Sequence, residues 1–268
     1  MKSENAGRAS YSPEQFAPLF AAEAQHFWFR SRNRCIAAAL STLPDLGAIR
    51  DVLEVGCGTG IVLEHLQRVL PLARLVGIDL HEEGLAFARR RFGGSLIRAD
   101  VLQYRPEQPF DLVGAFDVIE HLDDDVAILR HLRERLRPGG YIVLTVPAHR
   151  SLWSYFDEVA HHRRRYAVAE LEAKLVGAGF VDVHVTQFMA ALFPVMWLKR
   201  HFLGESAKGL ARAGLNEQQS AAESDLRINP LANWLLEILT RPDSMLISRR
   251  IPVPVGTSLC ALATRSHS

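Results

Sequence analysis

The sequence predicts an α/β protein, a largely parallel sheet with helices on both faces. Three observations carry this expectation. Short β-forming runs alternate with amphipathic helical runs from Asp51 onward. A glycine-rich turn, Gly56-Cys-Gly-Thr-Gly60, joins the first such strand to the first such helix. Several strands run into acidic residues, and ligands of open α/β sheets bind beyond the carboxyl ends of the strands. At 268 residues, 48% of them hydrophobic, the chain suits one large domain or one domain with a substantial insertion.

In chain order, Met1–Ser10 is polar and has no apolar core like that of a signal peptide, so a cytoplasmic protein is expected. Ser12-Pro-Glu-Gln15 reads as a helix start, with Pro13 at the first helical position. His26–Arg34 then leads into Cys35–Leu40, which is helical by propensity. Two accounts of its aromatic and arginine content stay open. In one, Phe27, Trp28 and Phe29 pack on the core while the arginines face water. In the other, residues 1–45 form a helical lid, with Trp28 or Phe27 walling a substrate cavity and Arg30 or Arg34 near a carboxylate.

The core alternation runs strand 51–55, helix 59–70 capped by Thr59, strand 73–78, helix 82–91 and strand 95–98. Strand 110–116 follows and delivers Asp117-Val-Ile-Glu-His121 at its carboxyl end. The adjacent carboxylates Asp123, Asp124 and Asp125 are hard oxygen donors, but consecutive residues point different ways, and capping of helix 126–136 accounts for them better. Arg137-Pro-Gly-Gly140 stops that helix before the buried strand Tyr141–Val146. A polar, aromatic loop holding His149, Trp153, His161, His162 and Tyr166 is long enough to suggest function. Helix 168–178 and strand 181–187 restore the alternation, and the last strand is Ser258–Thr264.

Glu54 inside the first strand, the turn Gly56-x-Gly58-x-Gly60, and Asp79 at the end of the second strand, roughly 20 positions on, form one constellation. With Leu136-Arg-Pro-Gly-Gly-Tyr-Ile-Val-Leu144 they resemble class I S-adenosylmethionine-dependent methyltransferases. The resemblance covers about half the chain and implies a Rossmann-like seven-stranded sheet with the last strand antiparallel. It also implies S-adenosyl-L-methionine as cofactor and S-adenosyl-L-homocysteine as product. On this resemblance Glu54, Gly56, Cys57, Gly58 and Gly60 hold the methionine part and Asp79 with Leu80 the ribose. Asp100 and Val101 lie at the adenine, with helix capping as the alternative for Asp100, and Asp117 and Val118 lie near the methyl group. The implied acceptor is a small molecule, most readily methylated at oxygen, with Trp28, Arg30, Trp153 and Tyr166 toward it. Part of the His-x-x-x-Arg-Tyr166 pattern reads as architectural, tying loop to sheet.

Methylation of a hydroxyl needs a base, and the candidates are His121, His149, His161 and His162. For His121, shaping the cofactor pocket is the competing role. A non-catalytic S-adenosylmethionine or S-adenosylhomocysteine sensor shares the cofactor motifs, although several histidines around one pocket favour chemistry. A nicotinamide dehydrogenase is disfavoured by Glu54 within its strand and by the Arg137-Pro-Gly-Gly140 strand approach.

The balance of 31 Lys and Arg against 30 Asp and Glu provides no field for nucleic acid, and an Asn/Asp-Pro-Pro-aromatic turn is missing after the fourth strand. Cys35, Cys57 and Cys260 are odd in number and widely spaced, which suits a reducing compartment and predicts neither a disulfide framework nor a structural zinc site. No metal site is expected. The core is assigned to residues 46–188 and 256–268, and residues 189–255 form a helical insertion. Its apolar runs are shorter than the ~20 residues of a spanning helix. Three roles are open for it: a lid, a homodimer surface, or a peripheral membrane contact through residues 188–201 with Trp197 and Lys199-Arg200 at headgroup level.

Overall fold

A computed structural model describes residues 15–202 and 227–267 of the chain. The expected helix start at Ser12–Glu14 and most of the polar stretch 203–228 lie outside the described residues. The sheet has seven strands in the order β3-β2-β1-β4-β5-β7-β6. They are β1 (Asp51–Val55), β2 (Arg74–Asp79), β3 (Ser95–Arg98), β4 (Phe110–Phe116), β5 (Leu136–Pro147), β6 (Phe180–Phe188) and β7 (Ser258–Arg265). β7 pairs antiparallel with both β5 and β6, whereas the β1–β2, β1–β4, β2–β3 and β4–β5 pairs are parallel. The carboxyl ends of β1 through β6 therefore share one edge.

Side-chain alternation along the strands divides the core between the two faces. Val52, Leu112, Val143 and Cys260 face one side with Val62, Leu63 and Leu66 of α3 (Ile61–Val69) and with α2 (Phe27–Leu40). Leu53, Val113, Ile142 and Leu144 face the other, against Ile128, Leu129 and Leu132 of α5 (Asp125–Glu134) and Leu171 and Leu175 of α7 (Val168–Gly177). Most of these side chains are fully enclosed, each contributing ~1.5–3 kcal/mol by leaving water.

The remaining helices are α1 (Phe16–Glu23), α4 (Glu82–Ala88), α6 (Tyr155–Val159), α8 (Phe193–Phe202), α9 (Pro230–Leu239) and α10 (Arg241–Ser248). Two expected caps resolve differently. Gly60, in the left-handed region, caps α3, and Thr59 instead donates its hydroxyl to Glu23 of α1. In the acidic run only Asp124 caps α5, accepting from the Ala127 amide at 2.9 Å.

α9 and α10, both within residues 189–255, are stitched to α2. The Asn233 amide accepts from Phe27 N–H at 2.8 Å and donates to Gln25 O at 2.9 Å. Ser31 meets Thr240 at 2.5 Å, and Glu237 pairs with Arg30 and Arg34 at 3.0 and 3.1 Å. Asp243 accepts the Met189 amide at 2.6 Å, which ties α10 to the end of β6. Among the described residues no helix is long and apolar enough to cross a membrane.

Candidate functional site

The site grows from the turn after β1. Gly56 and Cys57 donate their amides to Ile78 O at 2.8 and 3.1 Å, folding the turn onto β2. Gly58 N–H donates to Asp79 Oδ2 and His81 N–H to Asp79 Oδ1, both at 2.8 Å. Gly56 and Gly58 have φ of 67° and 49°, where a side chain is strained. A Cβ on Gly56 would strike Val118 Cγ2 at 2.6 Å, whereas one on Gly58 would meet no atom within 4 Å. Gly56 is thus glycine for packing, and Gly58 keeps the backbone open toward a ligand.

Carboxylates gather beneath this opening. Glu54 is enclosed with Oε2 unpartnered, and burial pushes its carboxyl well above the usual range, with Arg32 opposing. Burial also raises Asp79, against the two amides that donate to it. Glu23 reaches in from α1, where it holds Thr59 and Arg91, the latter at 2.5 Å. Arg32 crosses from α2 to Asp117 at 2.8 Å. Asp117 itself has φ 57°, a strained conformation for a non-glycine residue at the end of β4. A partly enclosed acidic cluster with one orphaned oxygen, beside a glycine turn that is unobstructed at Gly58, fits a cationic group such as the methionine part of S-adenosylmethionine. Asp100 Oδ1 accepts from Leu102 N–H at 2.9 Å in the turn after β3, with Val101 half-buried beside it. Cys57 is buried, Val118 is half-buried and Leu80 is exposed.

The four histidines separate into two places. His121 and His162 stack edge to face, ring centroids 4.9 Å apart, beside Glu120. Burial, and then His162, lowers His121 to about 4, so its imidazole is neutral near pH 7 and weakly basic. His161, with φ 55°, adjoins this pair on the loop. His149 lies after β5, where φ is 57°, with Nε2 at 2.6 Å from Gln187 Oε1 and its ring 5.0 Å from Phe193. The Gln187 amide is fixed by Gly256 N–H at 3.0 Å and Pro254 O at 2.7 Å, so Oε1 must accept. His149 Nε2 accordingly carries the proton and Nδ1 the lone pair.

The residues expected toward the acceptor take the following places. Tyr166 is fully buried, donating its hydroxyl to Asp125 at 2.8 Å, and burial raises its phenol further from ionisation. It ties loop to helix instead of lining a pocket. Arg30 and Arg34 pair with Glu237, because α9 packs on their face of α2. Not every arginine of that segment faces water, since Arg32 is buried against Asp117. Trp28 stays half-buried, its ring 5.1 Å from the Arg32 guanidinium, and Trp153 donates Nε1–H to Glu158 at 2.6 Å. Reasoning from sequence missed Glu23, Arg32 and Glu237, whose partners are distant in the chain, and Asp157, whose partners His162 and Arg165 lie on the same loop. Glu120 was visible only as the residue before His121.

The family model for the methyltransferase domain matches residues 20–185, more than half of the chain. The chain belongs to that methyltransferase-domain family. Trans-aconitate 2-methyltransferase of Azoarcus sp. is 32% identical over 148 residues, 55% of this chain and 56% of that protein. A Mycobacterium tuberculosis protein named "Probable S-adenosylmethionine-dependent methyltransferase" is 31% identical over 167 residues, 59% of this chain and 57% of its own. The matches thus span a little over half the length of these relatives. Among solved structures, Haemonchus contortus phosphoethanolamine N-methyltransferase 2 with phosphomonomethylethanolamine and S-adenosylhomocysteine superposes with TM-score 0.59 at 19% identity, covering 97% of this chain and 59% of that one. This last likeness concerns the fold.

Proposed function

We propose that the chain is an S-adenosylmethionine-dependent methyltransferase acting on a small-molecule acceptor, at oxygen. The observation that carries this reading is the unobstructed backbone at Gly58, whose amide is tied to Asp79, beside the enclosed, orphaned Glu54. Family membership supports it, and the trans-aconitate methyltransferases, by name, support a small acceptor.

On this reading Gly58 admits the methionine part, Glu54 and Asp117 face its positive charge, and Asp79 receives the ribose. Asp100 and Val101 flank the base, and α1 with α2 forms a lid, clamped by Glu23 on Thr59 and by Arg32 on Asp117. S-adenosylmethionine supplies, when bound, a methyl group activated by a sulfonium. The protein's share is positioning, water exclusion and removal of the acceptor's proton. His149 is the proposed base, since Gln187 directs its lone pair to Nδ1.

Calorimetric titration with S-adenosylhomocysteine, followed by a screen of phenols, sugars and organic acids for methylation, tests the proposal. Binding with turnover supports it. Binding without turnover on any acceptor points to a sensor, and no binding rejects the cofactor.

A peripheral membrane contact is favoured by one feature of the region after β6. α9 turns Glu237 inward and leaves Leu231, Trp234, Leu235 and Leu239 46–65% exposed, with Trp197 and Leu198 of α8 exposed as well. Such a face fits a lipid interface and a lipid-linked acceptor. Co-sedimentation with anionic vesicles, lost in Trp234→Glu, is expected. A vesicle-indifferent dimer broken by the same substitution would support the homodimer in its place.

A further inference from the structure

The end of β4 and the following loop hold a second constellation. Glu120 is completely buried, and neither of its carboxylate oxygens accepts a hydrogen bond. Leaving a buried carboxylate unpaired is costly, so such a group requires a proton or a cation. Its neighbours are imidazoles, with His162 Nε2 at 3.9 Å from Glu120 Oε1 and the His121 ring edge to face with His162. One ligand atom from each of the three lies within 4.8 Å of the others.

His162 is also oriented. Asp157 Oδ1 lies 2.9 Å from its Nδ1. Asp157 is in turn fixed by Arg165 at 2.7 and 3.0 Å and by the Ser154 amide at 2.8 Å. Donors from Arg165 and from Ser154 N–H converge on the Asp157 carboxyl and hold it as an acceptor, so it takes the Nδ1–H of His162. That leaves the Nε2 lone pair directed at Glu120. A carboxylate holding the far nitrogen of an imidazole is the usual outer support of a metal-bound histidine.

We propose that Glu120, His121 and His162 form a three-ligand site for a divalent ion of the zinc and cobalt class. Ligand distances of ~2.0–2.2 Å set two donors on one ion at most ~4.4 Å apart, and the 3.9 Å between Glu120 Oε1 and His162 Nε2 already lies inside that limit. One carboxylate with two imidazoles selects a transition ion over magnesium, and three protein ligands leave a coordination position open. The nearby acidic run does not compete for this ion: Asp124 caps α5, and Asp125 is neutralised by Lys174 at 2.8 Å and Arg164 at 3.0 Å. Resting on the methyltransferase reading, the open position would take an acceptor oxygen near Asp117 and hold it for alkylation.

The test is titration of metal-stripped full-length protein with Co²⁺, followed by visible d–d absorption and by displacement with Zn²⁺. One ion per chain is expected, with affinity reduced at least about tenfold in Glu120→Gln and in His162→Gln, and similarly in Asp157→Asn, whose carboxylate acts through His162. Circular dichroism identifies variants that keep the fold, and His121→Gln replaces any that do not. A wild-type protein that binds no Co²⁺, or folded variants that bind it as tightly as wild type, would overturn the site. S-adenosylhomocysteine titrated into the same samples separates the two claims. Its binding without Co²⁺ removes the ion alone, and Co²⁺ binding without it removes the methyltransferase reading alone.

Discussion

Alanine at Gly58 and at Gly56 should fail in opposite ways. Both glycines lie at positive φ, 49° and 67°, so either substitution places an L-residue in the left-handed region at a cost of ~1–2 kcal/mol. At Gly58 nothing else is added, because the new methyl meets no atom within 4 Å. At Gly56 the methyl lies 2.6 Å from Val118 Cγ2, well inside van der Waals contact, and Val118 is short and branched. Overpacking of that kind adds ~1–3 kcal/mol, for a total of ~2–5 kcal/mol. For a chain of this size each kcal/mol lowers Tm by about 2–4 °C. Gly58→Ala is therefore expected to fold, melt a few degrees low, and bind S-adenosylhomocysteine at least about tenfold more weakly, which is about 1.4 kcal/mol. Gly56→Ala is expected to lose most of its stability before affinity can be compared. Thermal unfolding and calorimetric titration measure both. Wild-type affinity in Gly58→Ala, or a larger stability loss there than in Gly56→Ala, would refute the assignment of packing to one glycine and ligand access to the other.

Asp125→Asn should destabilise by ~1–3 kcal/mol at pH 7, since Lys174, Arg164 and Tyr166 lose a charged acceptor. The partners of Asp125 outweigh its burial and hold its carboxyl below the ordinary value. Its contribution is then complete above about pH 4 and is lost as pH falls through the depressed folded value. Urea unfolding at pH 7 and pH 2.5 should show the gap between wild type and variant closing in acid. Glu237→Ala leaves Arg30 and Arg34 without their carboxylate, and because both are partly hydrated the loss should stay near ~1–2 kcal/mol, with faster proteolysis between α1 and α2. Unchanged protease sensitivity would mean that α9 does not secure the lid. Arg32→Met removes the cation between Glu54 and Asp117, and a drop of ~1–3 kcal/mol in urea stability is expected. A variant as stable as wild type would show that the buried acids need no fixed counter-charge.

Much of the fold was legible because its signals are local. The strands at 51–55, 95–98 and 110–116 begin and end where β-forming runs do, and the glycine turn between β1 and α3 is written in ten consecutive residues. The expected Rossmann-like seven-stranded sheet with an antiparallel last strand stands in the structure, which places that strand between the fifth and sixth. Boundaries moved where tertiary contacts outweighed propensity. β5 begins at Leu136 because the Arg137-Pro-Gly-Gly140 segment joins the sheet through an irregular register with β4.

The sequence by itself determined the class of chain, the strand-turn-helix cradle and the acidic residues at the strand ends, because each depends on residues adjacent in the chain. Tertiary structure alone decided which arginine reaches the site. Helical spacing presents Arg30, Arg32 and Arg34 in turn, and only docking of α9, more than 200 residues later for the Arg34–Glu237 bond, takes Arg30 and Arg34 and leaves Arg32 to Asp117. It decided likewise that Tyr166 is buried and that His162 returns from a distant loop to face Glu120. Pairings of that kind follow from how packed elements bring remote segments together, and no local pattern of residue types encodes them.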